Sequence, residues 1–296
     1  MAEQVIAYCV SAFASGTMFY RWKNMDTDGR QRVWRLYGWF SALMLCGSCI
    51  GLLTWLARMQ DLVNNMNGNF LTSASGPERL LFFASTASWR AAFNVLYALE
   101  FLCLSAAELM VLERMFDFAI SQAGGGSKRW MLAGRTLLAA VVLGNLVGLC
   151  GSIAAAARFG QAARAYAEAS RQVAAKSTDA KETIVSAIKE NEAALSIASV
   201  QSYCEVSMLL LIVASFIVVG AACARRVSAT LHGIGAPAAA AATVAVEAGR
   251  KLRAQIVFTT AFVFAAFLLR SVYSTMYAVA LPSLFFVTSW QVRHRQ

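Results

Sequence analysis

Stretches of about 20 apolar residues, each long enough to cross a lipid bilayer, recur along this chain and make the membrane its solvent. They lie near residues 5–20, 36–57, 91–112, 131–157, 197–224 and 256–280. Composition agrees: 58% of the 296 residues are hydrophobic and 14% are charged, too little polar surface for an ordinary water-soluble domain. In hydrocarbon the backbone has to satisfy its own hydrogen bonds, so each block reads as a helix. The expectation is an all-α polytopic transmembrane bundle of six or seven spans.

The two ends of the chain need separate arguments. Residues before the first block carry Glu3 and no lysine or arginine, so the basic region of a signal peptide is missing and an uncleaved first span is expected. At the other end, Ala254 to Trp290 is an apolar run of about 37 residues, roughly 55 Å as one helix, well beyond one crossing. Pro282 can end or kink it, leaving 281–292 as a partial seventh span, a half-span or an interfacial segment.

Basic residues set the orientation. Arg21, Lys23, Arg30, Arg32 and Arg35 crowd the first connection, and Arg225, Arg226, Arg250, Lys251 and Arg253 the loop at 225–253. The positive-inside rule puts these in the cytosol and the N-terminus outside or in a lumen. The net charge of +10 then serves topology and contact with anionic lipid. Nucleic acid is not an expected partner, because no basic cluster is interleaved with aromatics in a soluble segment.

Between the fourth and fifth blocks the chain stays helical in character. Residues 158–196 are rich in alanine and free of proline, and Asp179 with Glu182 forms a capping pattern, so a projecting helical hairpin is expected. Tyr166, Val173, Ile184, Ile188 and Leu195 fall where the two arms can face each other, and they also form the candidate partner surface. The connection between the second and third spans is rich in Asn, Gly and Ser and is expected to be an outside loop.

Chemistry inside the spans is sparse. The seven cysteines fall mostly within apolar blocks, which argues against an extracellular disulfide framework. Cys46 and Cys49 form a CxxC on a membrane helix with no clustered histidine, and read as small hydrophobes in a helix interface. No metal site, cofactor or catalytic constellation is expected. What remains are intramembrane charges, costly to bury and therefore candidate site residues. Glu100 and Arg270 fall at about the same depth and are expected to pair; Asn94, Asn145, Tyr273 and Tyr277 can join them, and Glu108 can extend the polar site. Gly144 and Gly148, with Ser152 one turn on, offer a small-residue stripe for helix packing or homo-oligomer formation.

The stretches FLLRSVY (Phe267 to Tyr273) and ALPSLFF (Ala280 to Phe286) resemble the last two spans of the plant tobamovirus-multiplication proteins and their receptor-like seven-span relatives. That resemblance implies a receptor-like seven-span class in which Arg270 and Pro282 occupy matching positions. The hairpin and the basic cytosolic loops offer surfaces on both sides of the membrane, so the expected function is non-enzymatic, a receptor-like or scaffold subunit acting by binding a ligand or a membrane-complex partner. The alternative is a transporter or channel built on Glu100 and Arg270.

Overall fold

The computed structural model describes residues 2–24, 32–66, 75–120 and 127–233, with a few isolated positions further on. Among the described residues every regular element is an α-helix: α1 (Ala2–Lys23), α2 (Arg32–Met66), α3 (Gly76–Ile120), α4 (Ser127–Ala174) and α5 (Ala180–Gly233). Four of them are long and apolar enough to cross a membrane, over Leu36–Asn64, Gly76–Asp117, Gly134–Ala174 and Ala180–Arg225. The chain is an all-α integral membrane protein. The expected span at 256–280, the partial span at 281–292 and the loop beyond residue 233 lie outside the described residues.

Helix length is the unexpected feature. α3, α4 and α5 contain 45, 48 and 54 residues, roughly 68 to 81 Å of helix against about 30 Å of hydrocarbon. Arginines punctuate three of the helices. Arg35 and Arg58 on α2, Arg90 and Arg114 on α3, and Arg135 and Arg158 on α4 each bracket an apolar stretch of about 23 residues, or roughly 34 Å. The excess is the first part of α3, the last part of α4 and the first part of α5.

The loop expected between the second and third spans is accordingly short, because helix claims most of it. α2 continues to Met66, and α3 starts at Gly76. A capping box starts it: the Ser75 backbone N–H donates to the Glu78 carboxylate at 2.9 Å. Pro77 stands in the first turn, where its missing N–H leaves no hydrogen bond unmade.

The α4–α5 turn is equally specific. Ser177 N–H donates to Gln172 C=O at 2.9 Å and Lys176 N–H to Val173 C=O at 3.1 Å, the bond pair of a Schellman motif. Its left-handed position is taken by Lys176, with φ of 57°. Asp179 then accepts the first helical bond of α5, from Thr183 N–H at 3.2 Å. The Thr183 hydroxyl reaches across the turn to Gln172 Oε1 at 2.8 Å.

Small residues let the two arms meet. Ala155, Ala162 and Ala169 on α4, and Ala180, Ala187 and Ala194 on α5, recur every seven residues and are all buried. A seven-residue period keeps one seam of each helix facing its neighbour. The hairpin has a third member: Leu80, Ala84 and Ala87 of α3 share its core with Ala162, Ala163, Tyr166, Ala169 and Ala187. The Phe83 and Tyr166 rings lie 5.7 Å apart, the Ser170 hydroxyl donates to Pro77 C=O at 2.8 Å, and Arg158 pairs with Glu190 at 2.8 Å. What reads in sequence as a hairpin is a three-helix bundle.

The helices fall into two compact units. One takes α1, α2, α3 up to Ala107 and the stretches of α4 and α5 between Leu146 and Ser202, and so contains the three-helix bundle. The other takes Glu108–Asn145 and α5 from Tyr203 onward. Its core is built from Leu112, Val141, Leu209, Ile212, Phe216 and Val219, and the Cys223 thiol donates to Met115 C=O at 3.4 Å.

Two substitutions test the bundle. Ala187→Leu forces a larger side chain into the seam and should destabilise the protein by about 2 kcal/mol in reversible unfolding in mixed micelles. Lys176→Gly removes the left-handed penalty at the turn and should stabilise it by about 1 kcal/mol in the same assay.

Candidate functional site

Two helices and a notch bring the buried carboxylate of Glu100 to its partner. α1 and α2 run antiparallel: Gly16 faces Leu45, the Ser11 and Ser48 hydroxyls share a hydrogen bond at 2.8 Å, and Tyr8 lies over Gly51. A Cβ on Gly51 would stand closer to Tyr8 Cε1 than two such atoms can approach, so the ring keeps its place because residue 51 is glycine. Held there, the Tyr8 hydroxyl donates to Glu100 Oε1 on α3. Glu100 is 1% exposed. Three helices thus converge on one carboxylate, which is the arrangement an acidic group needs to persist away from water.

α2 also carries a seam of buried polar side chains, with Ser41 and Ser48 on one face of the helix and Thr54 and Asp61 on another. Ser41, Ser48, Thr54 and Asp61 are all buried, spread over about 20 residues or roughly 30 Å of helix. Ser41 and Thr54 return their hydroxyl protons to their own helix, at Gly38 C=O (3.0 Å) and Ile50 C=O (2.9 Å). Hydroxyls used this way serve as small, self-satisfied packing residues.

Asp61, at the far end of the seam, is held by two arginines. Arg58 reaches one oxygen at 2.7 Å and Arg90 of α3 the other at 3.2 Å. The Arg58 guanidinium also lies over the Phe93 ring, 5.6 Å from its centroid. Both arginines stand at the ends of the apolar stretches defined above, where the bundle begins. The cluster ties α2 to α3.

The expected site residues separate on inspection. Arg270, Tyr273 and Tyr277 lie outside the described residues, as do the two stretches that carry the resemblance to the tobamovirus-multiplication group. Glu100 is joined by Tyr8, which the sequence did not single out. Asn94 is buried and donates from Nδ2 to Arg90 C=O of its own helix at 2.8 Å. Glu108 and Asn145 belong to the second unit, where Asn145 is buried and its Oδ1 accepts no hydrogen bond from the described residues. Tyr166 is buried in the three-helix core, Val173, Ile184 and Ile188 pack against that core, and Leu195 is half-buried.

Three further residues escaped the sequence reading. Tyr8 carried no signal, since a tyrosine near the start of an apolar block is ordinary. Asp61 was assigned to a loop. Glu205, now buried in the middle of the apolar stretch of α5, was legible by the rule that singled out Glu100. The small-residue stripe divides: a Cβ on Gly144 would run into the Met208 side chain of α5, one on Gly148 would meet nothing, and Ser152 is buried. Among the described residues no group of three or more His, Cys, Asp or Glu side chains is placed to hold a metal ion.

Compared with protein-family models, curated proteins and solved structures, the chain matches none. Fold and site together define its class: a helical integral membrane protein with a buried tyrosine–glutamate contact, and a three-helix bundle built from the extended ends of its helices.

Removing the hydroxyl that meets Glu100 isolates that contact. Tyr8→Phe should destabilise the protein by about 1 to 3 kcal/mol, the cost of leaving a buried acceptor short of a donor, and Gly51→Ala should move stability the same way by displacing the ring. Equilibrium unfolding of both variants in bicelles measures the effect.

Proposed function

We propose that this chain is a non-enzymatic, multi-pass membrane protein of six or seven spans that acts by binding, as a receptor-like or scaffold subunit, with its N-terminus outside or in a lumen. The observation that carries the reading is the three-helix bundle. A simple joining loop would need no core of its own, whereas here α3 adds Leu80, Phe83, Ala84 and Ala87 to the hairpin seam. The bundle is stiffened at its base by the clamp of Arg58 and Arg90 on Asp61. A stiff projection loses little entropy on docking, which favours its use as a contact surface.

Its outer faces carry both charges, with Arg164, Glu168, Lys181, Glu182 and Lys189 exposed, and Val185 is an apolar residue among them at 45% exposure. Such a surface suits a folded protein partner. Glu100, enclosed and met by Tyr8, is assigned a structural role within the membrane. The basic residues of the connections contact anionic lipid, and a second copy of the chain is a further candidate partner.

A photo-crosslinking residue placed at Val185 in the full-length protein, in its native membrane, should yield a discrete protein adduct that charge reversal at Lys181 and Lys189 abolishes. The same probe at Leu210, on an exposed apolar face of α5, should yield lipid adducts alone. Lipid adducts at both positions, together with solute flux into proteoliposomes that Glu100→Gln abolishes, would replace the scaffold reading with a transporter.

A further inference from the structure

The CxxC of α2 holds both its thiols on one helix; the tertiary structure gives Cys46 a neighbour on another. Cys46 Sγ lies 4.0 Å from Cys103 Sγ of α3. The close approach has a local cause at Gly47, where a Cβ would stand 3.0 Å from Leu104 Cδ2 and 3.3 Å from Cys103 Cβ. Glycine there lets α3 lie against the α2 backbone, and Cys103 is carried with it.

Depth gives the pair its chemistry. Cys46 lies about 11 residues from Arg35 and about 12 from Arg58, and Cys103 about 13 from Arg90 and about 11 from Arg114, so both thiols stand some 17 Å or more along the helix from either boundary. That is the middle of the hydrocarbon. Cys46 is exposed and Cys103 partly exposed, and at that depth the exposed side meets acyl chains. An oxidant that reaches them has to be dissolved in the bilayer, and the oxidised species that forms on unsaturated acyl chains is the lipid hydroperoxide.

We propose that Cys46 and Cys103 form a site that reduces one phospholipid acyl hydroperoxide and closes into a disulfide. The Cys46 sulfur attacks the outer peroxide oxygen, the O–O bond breaks, and the thiol proton passes to the departing alkoxide, giving a lipid alcohol and a sulfenic acid at Cys46. The Cys103 sulfur then attacks the Cys46 sulfur; the S–S bond forms, the S–O bond breaks, and the hydroxyl leaves with the Cys103 proton as water. Two electrons pass from the two sulfurs to the peroxide bond. Side-chain rotation has to bring the sulfurs from 4.0 Å to about 2.05 Å. The product ties α2 to α3 at mid-membrane.

The test uses the full-length protein in nanodiscs of phosphatidylcholine that carries acyl hydroperoxide, followed by denaturation, thiol alkylation and peptide mass mapping. Two of the seven thiols should be lost per chain, with a peptide pair joining Cys46 to Cys103 at a mass lower by two hydrogens. Cys103→Ser should abolish that pair and leave a dimedone-trappable sulfenic acid at Cys46, and Cys46→Ser should leave Cys103 reduced. Survival of all seven thiols would overturn the proposal. So would losses spread over Cys9, Cys49 and Cys150, or disulfides formed between chains.

Discussion

A hydrocarbon core about 30 Å thick holds about 20 residues of helix, and three helices of this protein have more than twice that number. Everything distinctive in the architecture follows from the excess. A helix that leaves the lipid still carries apolar side chains and has to cover them against something else. α3, α4 and α5 cover one another, through alanines at a seven-residue period and the Leu80, Ala84 and Ala87 face of α3. Alanine suits the purpose because it brings helix axes close and loses no rotamer freedom on burial.

Inside the membrane portion the governing cost is that of polar groups away from water. The chain meets it locally where it can, with Ser41 and Thr54 bonding to their own helix backbone. Its carboxylates also draw partners from other helices. Glu100 is met across helices by Tyr8, and the ring's position depends on the absence of a side chain at Gly51. Asp61 is met by Arg58 one turn away and by Arg90 on the next helix. Each carboxylate therefore fixes the register of the helices around it.

Much of this could be read in the sequence, and the failures have a common origin. The apolar blocks at 36–57, 91–112, 131–157 and 197–224 lie within α2 to α5, and the turn near Asp179 lies between Ala174 and Ala180. Residues 59–66 and 76–80 read locally as loop, because the asparagine, glycine and serine between them outweigh the helical signal on either side. The capping box at Ser75 and Glu78 was the available clue. The alanine heptads are legible in the sequence too, but alanine carries too little hydrophobicity to mark a seam by itself beside Ile184 and Ile188.

Hydropathy is a local sum, and capping and turn patterns span only a few residues. The sequence by itself therefore determined the membrane class, the helical character, the approximate place of four spans and the hairpin turn. Partnership is not a local sum. Which helix supplies the donor to Glu100, which arginines hold Asp61, and whether Cys46 faces Cys49 or Cys103 depend on the rotation and register of helices far apart in the chain. Close approach at Gly47 and Gly51 and the shape of the alanine seams settle those choices, and they exist only once the helices have packed.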